Sequence, residues 1–190
     1  MKKCINFKEN YSSQNLYEKV ILLSEIEKQK ITKGLNFIIN SRLNMVLVGG
    51  MAVVHHLKTN RVLTPDVDFL VSDMDKLKEL LYRHNIKYNN LNNNLGITVD
   101  EYNTDFLDSH ANNKKRNKVI LSTPNIAKIA GYSINIINPE LLFIMKMETS
   151  RDKDIDDAIN IIKSGILSKQ VFLKYCFNEY DCLVGYAEMM

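Results

Sequence analysis

The sequence predicts an α/β (α+β) protein: a mixed β-sheet with one helix ahead of it and several behind. Three observations predict this. Residues 45–71, MVLVGGMAVVHHLKTNRVLTPDVDFLV, read as strand, glycine pair, helix, turn and strand. Short apolar runs recur after them at 97–100, 103–107, 119–121, 126–129 and 134–137, each bounded by polar or turn-forming residues. From residue 138 the pattern changes to helical, opening on Asn138-Pro139-Glu140, which joins a cap residue, a first-turn proline and an acid.

In order along the chain, Leu16, Val20, Leu23, Ile26, Ile31, Leu35 and Ile38 recur at three- to five-residue steps and predict an amphipathic packing helix over 15–40. Residues 45–48 form a buried strand ending at Gly49-Gly50, and 51–57 form the next helix. His55 and His56 are adjacent, so on a helix they splay by about 100° and cannot chelate one ion together; they read as packing or surface residues. Lys58 and Arg61 fall in the turn before the strand 66–71, where they either face solvent or contact a triphosphate. Ser72 is the expected cap of a helix running to about residue 84. The asparagine-rich stretch 88–95 reads as a loop, and 109–118, SHANNKKRNK, as a polar basic loop that is either solvated or a nucleic-acid contact. Gly131-Tyr132 reads as a turn. Lys146 interrupts the apolar run 141–147, so it either snorkels outward or meets a buried anion, for which Asp154 and Asp157, one helical turn apart, are candidates. A last amphipathic helix covers about 169–178. Residues 1–138 read as the core with its first helix, and 139–190 as a helical extension packed on it.

The chemistry concentrates on Asp66 and Asp68. In a strand, residues two apart face the same way, so both carboxylates project from one side. Like charges that close repel unless a cation lies between them, and oxygen-only ligation favours Mg²⁺ or Mn²⁺ over zinc. Gly49 and Gly50 offer close backbone approach and N–H groups for a phosphate. Asp105, inside the strand 103–107, is the candidate third carboxylate; alternation puts Asp108 on the opposite face, and Asp100 is a weaker contender beside a turn.

Bulk composition bounds the reading. With 190 residues, 45% of them hydrophobic and 25% charged, the chain has the makings of one globular domain rather than a disordered segment. A net charge of +3 does not mark a nucleic-acid binder, so any such role needs local clustering. Cys4, Cys176 and Cys182 include no close pair and read as reduced thiols. With no signal-peptide core and no apolar run of about 18 residues, the expectation is a soluble cytoplasmic protein with no membrane partner.

Gly49-Gly50 opening a helix, Thr64-Pro65-Asp66-Val67-Asp68-Phe69 in the next strand, Asp105 in a later one, and the run Lys146, Arg151, Asp154, Asp157 together resemble the nucleotidyltransferase superfamily that shares the DNA polymerase beta palm, in its small AbiEii-like, minimal branch. The resemblance covers about 45–162. Many superfamily members have Gly-Ser where this chain has Gly49-Gly50. It implies a palm-type sheet and a transferase that moves a nucleoside monophosphate from a nucleoside triphosphate such as ATP to an acceptor hydroxyl. It implies magnesium or manganese on Asp66, Asp68 and Asp105, and nucleotide contacts from Gly49, Gly50, Arg61 and Lys146, the last alternatively a structural partner of Asp154. It further suggests a toxin of a toxin-antitoxin pair acting on tRNA, with a cognate antitoxin as partner; in other branches the same core modifies small antibiotics or protein hydroxyls, and the sequence does not select among these acceptors. The alternative is a catalytically silent nucleotide- or RNA-binding module, or an antitoxin-like one, of the same fold.

Overall fold

The computed structural model describes residues 24–57, 66–149 and 151–179, the last three of these by their backbone alone. Within them lie seven α-helices and a seven-stranded mixed sheet of order β3-β4-β5-β2-β1-β7-β6. The strands are β1 (Met45–Val48), β2 (Val67–Val71), β3 (Asn89–Asn90), β4 (Gly96–Val99), β5 (Thr104–Asp108), β6 (Asn125–Ile129) and β7 (Tyr132–Ile136). The helices are α1 (Glu25–Ser41), α2 (Gly49–Leu57), α3 (Met74–Arg83), α4 (Lys114–Ser122), α5 (Pro139–Thr149), α6 (Asp152–Lys163) and α7 (Lys169–Glu179).

β1 and β2 form the centre. All four residues of β1 are buried, as are Val67, Phe69, Leu70 and Val71 of β2, which is why both read as near-continuous apolar runs. β1 pairs antiparallel with β2 and parallel with β7, while β2 pairs parallel with β5. α2 packs on β1, β2, α5 and α6, burying Met51, Ala52, Val53 and Val54. α5 then carries Leu141, Leu142, Phe143 and Ile144 into the same core. Its start is fixed as its sequence predicts, with the Asn138 side chain accepting from the Leu141 N–H at 2.9 Å.

α1 spans the described part of the expected first helix. Ser24 and Glu27 form a reciprocal capping box, which sets its beginning. Residues 15–23 of that expectation lie outside the described residues, as do Cys4 and Cys182. Cys176 is a buried free thiol.

Several expectations are corrected. The cap of α3 is Asp73, whose carboxylate accepts from Lys76 N–H at 2.9 Å, and not Ser72. The loop expected at 88–95 contains the short edge strand β3 and a 3₁₀ turn at Asn92–Asn94. The hairpin turn sits on Ala130 and Gly131, both at positive φ, so Tyr132 already belongs to β7. The largest correction is α4: 109–113 of the expected basic loop remain a loop, but residues 114–118 and the strand expected at 119–121 are one helix. Asn113 caps it, accepting from Arg116 N–H at 3.0 Å, and Arg116, Asn117 and Ile120 are buried along one face. A run as short as Val119-Ile120-Leu121 has no period of its own, and tertiary burial decides its state.

Candidate active site

The turn from β1 into α2 and the register of three strands build one acidic centre. Val48 lies opposite Asp68 across the antiparallel pair, so Gly49, the next residue, bends away beside that carboxylate. Gly49 has φ +68, and a Cβ there would overlap the Asp68 carboxyl group. Only glycine therefore both makes this turn and leaves room for the acid. Asp68 also accepts a hydrogen bond from the backbone N–H of Gly50. In the parallel pair, Asp68 stands directly across from Asp105, and residues paired in this way point to the same face of the sheet.

The electrostatics follow from this placement. Burial pushes the Asp68 carboxyl up to about 6, and the negative charges of Asp105 and Asp66 push the same way; Lys146 and the Gly50 N–H oppose them. Asp66 is exposed just before β2 and close enough to be felt by Asp68. All three acids border one cleft of about 600 Å³, together with Gly49, Gly50 and Lys146. Among the described residues, no three acidic, histidine or cysteine side chains are gathered into a ready metal cage. What converges is the opposed pair Asp68 and Asp105, with Asp66 at the rim. Mg²⁺ is commonly held by one or two carboxylates plus water and substrate phosphates, so this all-oxygen donor set fits such an ion.

The opposite wall comes from α5 and α6. The Lys146 ammonium is buried and lies 2.6 Å from Asp154 Oδ1 and 3.0 Å from Asp157 Oδ2. Asp154 accepts further hydrogen bonds from Thr149 Oγ1 at 2.7 Å and Arg151 Nε at 2.5 Å. Burial would raise the Asp154 carboxyl, yet the hydrogen bonds from Lys146, Thr149 and Arg151 hold it below the ordinary carboxylate range. The expected pairing of Lys146 with Asp154 is thus present, and the lysine also faces the cleft and acts on Asp68.

Other expected site residues fall as follows. Arg61, Lys58, Thr64 and Pro65 lie outside the described residues. His56 is a packing residue: its Nε2 meets the Ile137 carbonyl at 2.7 Å, and burial holds its pKa below the usual imidazole value. Asp100 makes a hydrogen bond with Asn89 Nδ2 at 3.2 Å. Asp108, expected on the opposite face, borders the cleft as well, because it ends β5 where the strand gives way to a turn; its Oδ1 accepts from the His110 N–H at 2.8 Å.

Sequence reasoning missed Arg116 and Asn117, which also border the cleft. Arg116 pairs with Glu148 at the end of α5 and donates to Asn117 Oδ1 from Nε at 3.2 Å and from Nη2 at 2.9 Å. Asn117 donates in turn to the carbonyls of Ser109 and Ala111. This clasp ties the loop after β5 to α5. Its sequence signal was the spacing 116, 117, 120 within a run read only for its charge.

Comparisons with known proteins give a family and a fold. Residues 28–184 match the family model described as "Nucleotidyltransferase of unknown function (DUF6036)". No curated protein matches the chain. In structure the chain is similar to an antigenic nucleotidyltransferase-like protein from Paracoccidioides brasiliensis, with 17% identity and a TM-score of 0.56, over 87% of this chain and 94% of that one. It also aligns with the antibiotic-resistance factor ANT(2'')-Ia, with 14% identity and a TM-score of 0.49, over 84% of this chain and 100% of that one.

Proposed function

We propose, given that the chain belongs to the DUF6036 family of nucleotidyltransferases, that it transfers a nucleoside monophosphate from a nucleoside triphosphate to an acceptor hydroxyl. The observation that carries this reading is the pairing of Asp68 with Asp105 across parallel strands, against the glycine turn at Gly49. In the reaction the acceptor oxygen bonds to the α-phosphorus, the bond from that phosphorus to the bridging oxygen of the β-phosphate breaks, and pyrophosphate leaves.

Asp68 and Asp105, with Asp66 at the rim, would hold Mg²⁺ or Mn²⁺, which would supply charge neutralisation for the triphosphate and for both oxygens of the in-line displacement. Gly49 and Gly50 admit the leaving phosphates to the backbone. Asp105 orients the acceptor hydroxyl and takes up its proton through a hydrogen bond. Lys146 keeps a positive field at the cleft wall while Asp154 holds it in place, and Arg61 is the proposed further nucleotide contact. The acceptor suggested by the small branch is tRNA, in the setting of a cytoplasmic toxin held in check by an antitoxin.

A second reading is a catalytically silent nucleotide- or RNA-binding module. It is favoured by the exposed position of Asp66 and by the absence, among the described residues, of a complete three-ligand cage. One experiment separates the two: incubation with Mg²⁺ and each labelled nucleoside triphosphate, with and without total tRNA. Labelled tRNA together with released pyrophosphate, both lost in Asp68→Asn, supports the transferase; nucleotide bound without pyrophosphate release supports the silent module.

A further inference from the structure

β2 and β5 run parallel, so their ends lie side by side: the Ser109 N–H donates to Val71 O at 3.2 Å, and Ser109 Oγ lies 3.4 Å from Ser72 O. This is the end of the sheet away from Asp68 and Asp105, about 13 Å from Asp68 along β2 at the usual rise per residue. A hollow of about 490 Å³ opens there, bordered by Ser109 and His110 and by Lys114, Lys118, Leu121 and Ser122 of α4. Those four α4 positions follow the i, i+4, i+7, i+8 spacing of one helix face, while Arg116, Asn117 and Ile120 are turned into the protein.

Among the described residues, no acidic one borders the hollow. Lys114 and Lys118 are exposed, and among the described residues neither ammonium is paired with a carboxylate. One helical turn separates them, about 6 Å along the axis, a spacing that suits a repeating anion better than a single compact one. The hollow and the reaction cleft share a ridge. Asp108, Ala111 and Asn112 face the cleft, whereas Ser109 and His110 face the hollow.

We propose that this hollow docks the phosphodiester backbone of a single-stranded RNA acceptor whose end lies at Asp68 and Asp105, with Lys114 and Lys118 as the phosphate contacts. The inference rests on the nucleotidyltransferase reading. The ridge that carries Asp108 and Asn112 on the cleft side and Ser109 and His110 on the hollow side makes the two surfaces continuous for one strand. Lysine contacts to phosphate position a strand without reading its sequence, so binding at the hollow is sequence-tolerant and salt-dependent.

The test uses the full chain and a fluorescent single-stranded RNA of about 20 nucleotides, followed by anisotropy across a salt series. Lys114→Gln/Lys118→Gln is expected to weaken RNA binding about tenfold or more at low salt, and to reduce the slope of log affinity against log salt by about 1.4, the value for two lost contacts to a single strand. The control Lys76→Gln/Lys128→Gln, exposed lysines elsewhere, changes affinity less than about twofold, as does either double variant toward a fluorescent nucleoside triphosphate with Mg²⁺. An affinity within about twofold of the parent in the hollow variant, an equal loss in the control, or no RNA binding by the parent overturns the inference. Pyrophosphate release from the triphosphate judges the transferase reading separately.

Discussion

Asp105 stands directly across from Asp68 on the neighbouring parallel strand, and the two acids share one face of the sheet. Burial, with the repulsion from Asp105 added, lifts the Asp68 carboxyl to about 6 from an ordinary 3.8. A raised carboxyl means that the folded chain binds this proton more tightly than the unfolded chain does. The destabilisation is therefore fully present above about pH 6 and is relieved as the pH falls toward 3.8. In chelator at pH 7, Asp68→Asn should be more stable than the parent, by on the order of 1–2 kcal/mol after discounting for its partial exposure. The difference should vanish near pH 4. Denaturant melts of both proteins at the two pH values check this, and a variant less stable at pH 7 would refute it.

The same pair should make stability respond to divalent cations. Mg²⁺ or Mn²⁺ at about a hundred times its dissociation constant would add about 2.7 kcal/mol to a chain that binds it only when folded. The expected result is a rise in melting temperature for the parent and almost none for Asp68→Asn or Asp105→Asn. Equal rises in all three would place the ion elsewhere.

Gly49 is the position where backbone and chemistry collide most directly. Gly49→Ala adds a side chain at positive φ and drives it into the Asp68 carboxyl group. Gly131 also has positive φ, but a Cβ there meets nothing, so Gly131→Ala isolates backbone strain of about 1 kcal/mol. Gly49→Ala should cost more than that and lower nucleotide transfer by about a hundredfold, the scale of an ångström-sized misplacement. Stability curves and initial rates for the two variants give the comparison; similar values in both assays would show that the Asp68 carboxylate has room to move.

Asp154 lies at the other wall, fully buried and accepting from three side chains. Asp154→Asn removes the charge facing buried Lys146 and should destabilise the chain by about 3 kcal/mol or more. Because the Asp154 carboxyl is held below the ordinary range, its contribution is present above the unfolded carboxylate pKa and is lost as the pH falls through the folded one. The deficit of the variant should thus shrink in acid. Chemical denaturation at pH 7 and pH 3 measures it, and a deficit that grows on acidification would contradict the assignment.

The placement of Asp105 opposite Asp68 was legible because both lie inside strands whose apolar pattern is local. Asp66 precedes β2, so strand alternation does not govern it, and Asp108 borders the cleft although alternation puts it on the other face. The helix start at Asn138 rests on a cap, which is local, and the partnership of Lys146 with Asp154 on a lysine inside an apolar run that calls for an anion, met by an acid eight residues on. α4 was not readable, since its three apolar residues are too few to show a period and its burial depends on Glu148 and on the carbonyls of Ser109 and Ala111, distant or irregular in sequence. Asp73 displaced Ser72 as a cap for the same kind of reason: two adjacent residues could both do it, and only the path of the chain leaving β2 selects one.

The strand bond between Ile137 N–H and the Leu47 carbonyl, 3.0 Å long, hands the chain directly from the sheet into α5, which covers α2. A fragment stopping at residue 138 would strip α2 of the two helices packed on it, α5 and α6, and leave the cleft without the wall that carries Lys146. Loss of the C-terminal helices should therefore show itself as aggregation of the remainder rather than as a trimmed but working core.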